Sequence, residues 1–258
     1  MRSAWIIAKK ELKGFYLTPA FYFIVFLIAI ILSFLFPVHF SMFSQILQMA
    51  QPGMETGQQS NIHYGLYLRH LSYINLILIF IVPALTMKLF AEEKKMRTFD
   101  LLLTSPVTSW QIVGGKFIGV AGAIFGVMLL GLIYPLITLM FVNQIHWPSL
   151  MLAFFGIFGL GLIYAAMNLF CSSLTESVLI SYIMSVILNV SIWFVGIGVE
   201  AVDSQWARQI FEHISLSTHL SGMVEGTLRL QSLVFFVSAI GLFLFLSERV
   251  VESHRWRA

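Results

Sequence analysis

The side chains best suited to binding another molecule lie in a short charged segment, 92–106, that separates two long apolar stretches. If the segment is helical, residues three and four apart share one face, so its larger apolar side chains lie opposite most of its charges. Pro106 cannot continue such a helix, because proline lacks a backbone N–H and restricts the residue before it. We therefore predict an amphipathic helix, suited to docking against another protein, over about 92–104. Its apolar face consists of Met96, Phe99, Leu102 and Leu103.

Patterns typical of catalysis and of nucleotide binding are absent. The chain has no His-Glu-x-x-His, no Gly-x-Ser-x-Gly and no pair of Asp residues inside an apolar stretch. Gly114-Gly115-Lys116 lacks the Ser or Thr that follows the lysine of a phosphate-binding loop. A single cysteine, Cys171, excludes an intramolecular disulfide. We predict that the chain is not an enzyme and holds no cofactor.

The composition defines the class of protein. Apolar residues make up 59% of the chain and charged residues only 10%, whereas soluble domains carry about 25% charged residues. A spanning helix needs about 20 apolar residues. The chain is therefore predicted to be an all-α, polytopic membrane protein, a single transmembrane domain over 1–258 with six spans. These spans are about 20–38, 71–91, 113–142, 149–170, 177–199 and 231–248.

The distribution of Lys and Arg predicts the orientation. With both termini in the cytoplasm, twelve of the fifteen basic residues lie on the cytoplasmic side, and only Arg69, Arg208 and Arg229 lie outside. This places the 92–106 segment in the cytoplasm and the 39–70 loop outside. The net charge of +3 is thus a topology signal and does not indicate nucleic-acid binding. No cleavage motif follows the first span, so we expect an uncleaved anchor.

The outer side carries most of the histidines. No compact ligand spacing connects them, although Met42, Met49 and Met54 share the first outer loop and both residue types bind copper. We predict no metal site. The outer histidines are His39, His63, His70, His146, His213 and His219.

Residues 3–16 combine an apolar face with a basic one and end before Pro19. This pattern is typical of a helix lying in the cytoplasmic interface; the alternative is a simple positively charged flank before the first span.

The third span contains two small-x-x-x-small motifs, which allow close helix packing and, alternatively, could line a substrate groove. Their glycines are Gly115, Gly119, Gly122 and Gly126.

Polar residues inside the spans are uncharged near the midplane, where ion-coupled carriers hold a charge. We expect amides such as Asn75, Asn168 and Asn189 to bridge helices. Pro83 and Pro135 are expected to kink the second and third spans.

Three ordered motifs resemble one known family. They are the start at Ala8-Lys9-Lys10-Glu11-Leu12-Lys13, the segment through 101–107 with Trp110-Gln111-Ile112-Val113, and the pair 214–220 and 226–229. In this order they are similar to segments of the permeases of type-2 ABC exporters. Among these, the chain is most similar to permeases of gliding motility and of nitrous-oxide reductase maturation. Many such permeases have Gly-Thr where this chain has Arg97-Thr98.

The resemblance implies a half-transporter of the bacterial inner membrane. Two copies, or one copy and a related subunit, would bind cytoplasmic ABC ATPase subunits, which hold the ATP and magnesium, and a periplasmic accessory protein is a further possible partner. The pair 214–220 and 226–229 would form short re-entrant helices before span six. The segment 92–104 would be the coupling helix, with Phe99 and Arg97 as its main anchors. Its interface residues would be Glu92, Glu93, Met96, Arg97, Phe99, Leu102 and Leu103.

Two other functions remain open at this point. An ion-coupled secondary carrier also fits six spans, and it would work without ATP. A membrane scaffold could recruit a periplasmic protein through the 39–70 loop, and it would tolerate changes in the 92–106 segment. The sequence does not identify the cargo.

Overall fold

The structure, a computed structural model, describes residues 2–49, 62–140, 145–201 and 204–256. Every regular element in these ranges is a helix, which confirms the all-α prediction. The helices are α1 (Arg2–Leu17), α2 (Pro19–Met49), a π-helical turn (His63–Tyr67), α3 (Leu68–Thr86), α4 (Ala91–Lys95), α5 (Phe99–Leu103), α6 (Ser109–Met128), a 3-10 turn (Leu129–Leu132), α7 (Ile133–Thr138), α8 (Trp147–Leu174), α9 (Val178–Ala201), α10 (Gln205–Ile214), α11 (Leu216–Val224) and α12 (Leu230–Arg255).

Six of these stretches are long and apolar enough to cross a membrane, which confirms the predicted number of spans within the described ranges. Most of them are longer than the apolar stretches that predicted them, because helical hydrogen bonding continues beyond the hydrocarbon core. They are Pro19–Gln48, Gly65–Lys95, Ser109–Thr138, Trp147–Leu174, Val178–Gly198 and Leu230–Arg255.

Helix α8 forms the centre of the bundle. It packs against α3, α6, α9, α11 and α12, and 67% of its most apolar window is buried, against 17% for each of the spans in α2, α9 and α12. The three latter helices therefore lie at the periphery, where their apolar side chains face outward. In a membrane protein such faces contact lipid or another membrane protein.

Pro83 illustrates how α9 supports α3. Proline has no N–H, so the carbonyl of Ile79, four residues earlier, loses its helical donor. The side-chain amide of Asn189 on α9 donates to this carbonyl at 3.2 Å. Asn189 thus bridges two spans. In the third span, a 3-10 turn separates α6 from α7 ahead of Pro135, so this span is not one continuous α-helix.

Two short helices, α10 and α11, connect α9 to α12. The predicted pair lay further along the chain, at 214–220 and 226–229. In the structure, 227–229 is not helical, because Gly226 adopts the left-handed conformation (φ 89°) that ends α11. Of the predicted outer loop 39–70, residues 50–61 lie outside the described residues, whereas 39–49 belongs to α2 and 62–70 is helical.

Candidate functional site

The charged segment after the second span consists of two short helices, α4 and α5, instead of the one helix predicted over 92–104. The break lies at Arg97, which has a left-handed backbone (φ 55°). The N–H of Thr98 bonds to the carbonyl of Glu93 at 3.0 Å and closes the end of α4. A left-handed conformation costs a non-glycine residue about 1 kcal/mol. A glycine would adopt it without strain.

Phe99 and Leu103, two of the predicted contact residues, are only 3% and 4% exposed and face the chain's own bundle. The ring of Phe99 packs edge-on against Phe90, with centroids 6.0 Å apart, and against His254, at 5.9 Å. The ammonium of Lys94 lies 5.4 Å from the centre of the same ring. Phe99 is therefore an internal anchor of α5, and it is not available as the main contact for a partner.

The outward surface of the segment has a different composition. Met96 is 67% exposed and Leu101 is 72% exposed, and the charged residues Arg97 and Asp100 are exposed beside them. We call these four residues the α4–α5 surface. Leu101 was missed in the sequence, because a single continuous helix would have placed it among the charges. Of the other predicted contacts, Glu92 is exposed and Leu102 is half-buried.

The α4–α5 segment is held in place by a buried ion cluster around Lys116. The Lys116 side chain is 1% exposed, and its ammonium lies 3.1 Å from the Glu11 carboxylate and 2.8 Å from the Glu93 carboxylate. It also donates to the carbonyl of Leu89 at 2.7 Å and lies 5.2 Å from the ring centre of Phe90. One lysine thus links α1, α4 and α6. Glu93, predicted to face a partner, is engaged within the chain.

Sequence reasoning missed this cluster because Glu11 and Lys116 are 105 residues apart. The available signal was a lysine placed next to glycines at the start of an apolar span. Such a charge requires a partner when it is buried.

The C-terminal end of α12 braces the other side of the segment. The guanidinium of Arg255 donates to the carbonyls of Leu103, Ser105 and Val107 at 3.3, 3.5 and 3.1 Å. These carbonyls lie at and beyond the end of α5, where helical donors are missing. The hydroxyl of Ser109 at the start of α6 donates to Glu252. As a result, α5 and the following turn are fixed to α12.

Helix α8 supports α4 from inside the bundle. The N–H groups of Phe90 and Ala91, at the start of α4, both donate to the hydroxyl oxygen of Ser172 at 3.2 Å. That hydroxyl in turn donates to the carbonyl of Met87 at 3.1 Å. On the same side, the ammonium of Lys94 bonds to the Ser173 carbonyl and to the His254 ring. The segment is thus attached to α1, α6, α8 and α12.

The four glycines of the two small-x-x-x-small motifs in the third span all face α1. A Cβ on Gly115, Gly119 or Gly122 would lie within 2.7–2.9 Å of atoms in α1, and one on Gly126 would collide with Tyr16. These contacts advance together along both helices, so α1 runs parallel to α6 over about three turns. The close packing predicted from the small-residue spacing therefore has α1 as its partner. The helix predicted to lie flat in an interface is packed lengthwise on a span.

At the opposite end of the bundle, histidines make structural contacts. His63 Nε2 donates to the carbonyl of Val224 at 2.7 Å, and the ring of His219 stacks on Phe235 with centroids 4.2 Å apart. Burial lowers the pKa of His63 and of His219. In the described part of the chain, no three His, Cys, Asp or Glu side chains converge as metal ligands would.

These features define a polytopic helical membrane protein with a braced, partly exposed segment between its second and third spans. The sequence profile of the ABC-2 family transporter protein matches residues 5–248, and the chain belongs to this family. It is therefore a membrane permease component of an ABC transporter, in a family whose members are generally non-catalytic. A search of curated proteins found no match to the chain.

Proposed function

We propose that the α4–α5 segment is the coupling element through which a separate ATPase subunit drives the permease. The observation that carries this proposal is the contrast between its two sides. The outward side presents Met96, Arg97, Asp100 and Leu101 to a partner. The inward side is attached to four other helices through Lys116, Arg255 and Ser172. Solubility alone does not require two large apolar side chains, Met96 and Leu101, to be exposed on a segment that is rigidly held from behind. Binding of a partner protein does.

The attachments suggest how motion is passed on. Packed elements shift as units and do not deform continuously, because protein interiors are dense. A push on α4–α5 reaches α6 and α1 through Lys116, α8 through Ser172 and α12 through Arg255. Because α3 leads into the segment and α6 leads out of it, spans two and three move first.

The proposed assembly follows from the family and from the charge distribution. Two copies of the chain, or one copy and a related permease, bind two ABC ATPase subunits that hold ATP and magnesium. The end of the bundle that carries α4 and α5 faces the cytoplasm, with both termini, in a bacterial inner membrane, because basic residues concentrate there. A periplasmic accessory protein binds at the opposite end. The residues of the three sequence motifs favour a permease like those of gliding motility or nitrous-oxide reductase maturation, which would act in export or in mechanical transmission.

Co-purification of the ATPase with variants of the surface tests the proposal. Leu101→Glu places a charge at the most exposed apolar position of the segment, so it should abolish ATPase capture, since loss of an interface anchor lowers affinity by about 30-fold or more. Leu228→Glu is the matched control, because Leu228 is 56% exposed at the opposite end of the bundle. Size-exclusion chromatography verifies that both variants are folded. A Leu101→Glu chain that still retains the ATPase at the wild-type ratio would exclude this surface as the contact.

Arg97 allows a second, independent test. Arg97→Gly removes the backbone strain and the charge together, whereas Arg97→Lys keeps the charge and the strain. Arg97→Gly should stabilise the isolated permease in either case, because it removes the backbone strain. If Arg97 contacts the ATPase, Arg97→Gly also weakens ATPase capture, whereas Arg97→Lys preserves most of it. Equal capture by all three chains would assign Arg97 a local structural role only.

A further inference from the structure

A cavity of about 630 Å³ lies beside the ion cluster, between α1, the start of α2, the end of α3 and α4. Its size falls in the range of about 300–1,000 Å³ that is typical of sites for small molecules. Of the four residues of the α4–α5 surface, Met96 lines this cavity, and Arg97, Asp100 and Leu101 do not. Glu11 and Glu93 are also in its wall, so the cavity adjoins the Lys116 cluster.

The walls of the cavity form two chemically different layers. Phe21 and Ile24, from the first turns of α2, and Leu85, from the last turn of α3, are among its apolar residues. Lys88 and Glu92 are among its charged residues. Both layers thus lie where the first span begins and the second span, Gly65–Lys95, ends, and the charged residues follow Leu85 along the chain. At the end of a span, a change from apolar to charged walls matches the boundary between hydrocarbon and lipid head groups.

The charges on the rim select the type of ligand. Lys116 holds one carboxylate oxygen of Glu11 and one of Glu93 from behind, and Lys10 lies 3.7 and 3.6 Å from the same two oxygens. Lys88 and Glu92 remain, and both are exposed at the mouth of the cavity. A purely anionic ligand would bring its charge close to Glu92, and a purely cationic ligand would bring its charge close to Lys88. A zwitterion satisfies both residues.

We infer that this cavity binds one zwitterionic phospholipid of the surrounding bilayer as a structural ligand. Its phosphate lies against Lys88 and the neighbouring Lys10, its primary ammonium donates hydrogen bonds to Glu92, and the upper part of one acyl chain covers Phe21 and Leu85. A quaternary ammonium has no N–H to donate, so a phosphoethanolamine head group fits better than phosphocholine. The lipid joins the elbow between α1 and α2 to the start of α4.

The inference is tested on the isolated, delipidated full chain in detergent, so no ATPase takes part in the readout. The probes are palmitoyl-oleoyl phosphatidylethanolamine, phosphatidylglycerol and phosphatidylcholine, with native mass spectrometry to count bound lipids and thermal unfolding as a second measure. One molecule of the ethanolamine lipid should bind about tenfold more tightly than the other two, because each of them loses one charge-assisted contact.

Matched variants localise the binding. Glu92→Gln and Lys88→Gln should each weaken the ethanolamine lipid by about tenfold, whereas Lys95→Gln, an exposed lysine of α4 outside the cavity, should not. Ala20→Trp fills the cavity and should abolish binding. Leu17→Trp, at a position 79% exposed and outside the cavity, is its control.

Equal binding of the three lipids would overturn the inference, as would wild-type binding by both Glu92→Gln and Ala20→Trp. If the cavity instead receives a segment of a partner protein, the isolated chain gains no stability that depends on the head group. That result also overturns the inference.

Discussion

Replacing Lys116 with methionine should release α1 from the bundle. Methionine keeps most of the side-chain volume but removes the charge, so the carboxylates of Glu11 and Glu93 lose an ammonium at 3.1 and 2.8 Å. Removing one partner of a buried ion pair costs about 3–5 kcal/mol. The lower end of this range applies, because Lys10 lies 3.6 Å from Glu93 and partly compensates it. A cost of about 3 kcal/mol corresponds to a change on the order of 100-fold in the docking equilibrium.

Hydrogen exchange followed by mass spectrometry measures this effect in detergent. Amide protection in α1 should fall on the order of 100-fold in Lys116→Met, whereas protection in α8 should change little, because α8 lies at the centre of the bundle. Lys95→Met is the control, since Lys95 is an exposed lysine at the end of α4.

A compensated variant separates charge from packing. Lys116→Met combined with Glu11→Gln and Glu93→Gln leaves no buried unpaired charge, so it should recover most of the protection lost in the single variant. Two results would refute the reasoning: unchanged α1 protection in Lys116→Met, or a triple variant as unprotected as the single one. The first would mean that the cluster does not hold α1, and the second that charge compensation is not the reason.

Three further outcomes are expected. Gly119→Ala should lower the unfolding temperature, because overpacking costs about 1–3 kcal/mol and the added methyl would lie 2.7 Å from Glu11, whereas Gly114→Ala, with nothing within 4 Å, should not. The pKa of His63 is lowered from 6.5 by burial, so the unfolded chain takes up this proton first as the pH falls. Stability should therefore be full above about pH 6.5 and decrease below it, and less steeply in His63→Gln, as followed by thermal unfolding against pH. Asn189→Leu should cost about 1–3 kcal/mol by leaving the carbonyl freed by Pro83 without a donor. The added cost should shrink in the Pro83→Ala background, which restores the N–H, and additive effects in this double-mutant cycle would contradict the bridging role.

Much of the fold was readable from local pattern. Lipid demands about 20 apolar residues for each span, so uninterrupted apolar stretches predicted six spans, and the structure has six. The small-residue spacing that starts at Gly115 predicted close packing, and every glycine in it faces a neighbouring helix. The neighbour could not be predicted, because α1 is about a hundred residues away in the chain and the spacing is the same for any partner.

The candidate site was only partly predictable. Periodicity placed Phe99 and Leu103 on one face of the charged segment, and they do share a buried environment. Periodicity does not reveal whether that face turns toward the protein or toward a partner. The left-handed Arg97 rotates α5 relative to α4, which exposes Leu101, and no pattern of apolar residues announces such a conformation at an arginine.

Composition, apolar length and the distribution of charge thus define a six-span helical membrane protein with a charged segment after its second span. These properties depend on each residue and its near neighbours, and the bilayer acts on them one helix at a time. Tertiary structure alone decided that Lys116 joins α1, α4 and α6, that Arg255 closes α5, and that Leu101 accompanies Met96 on the outward surface. These outcomes depend on which distant helices meet, because a buried charge or an open carbonyl can be satisfied by any donor or acceptor that packing brings within reach.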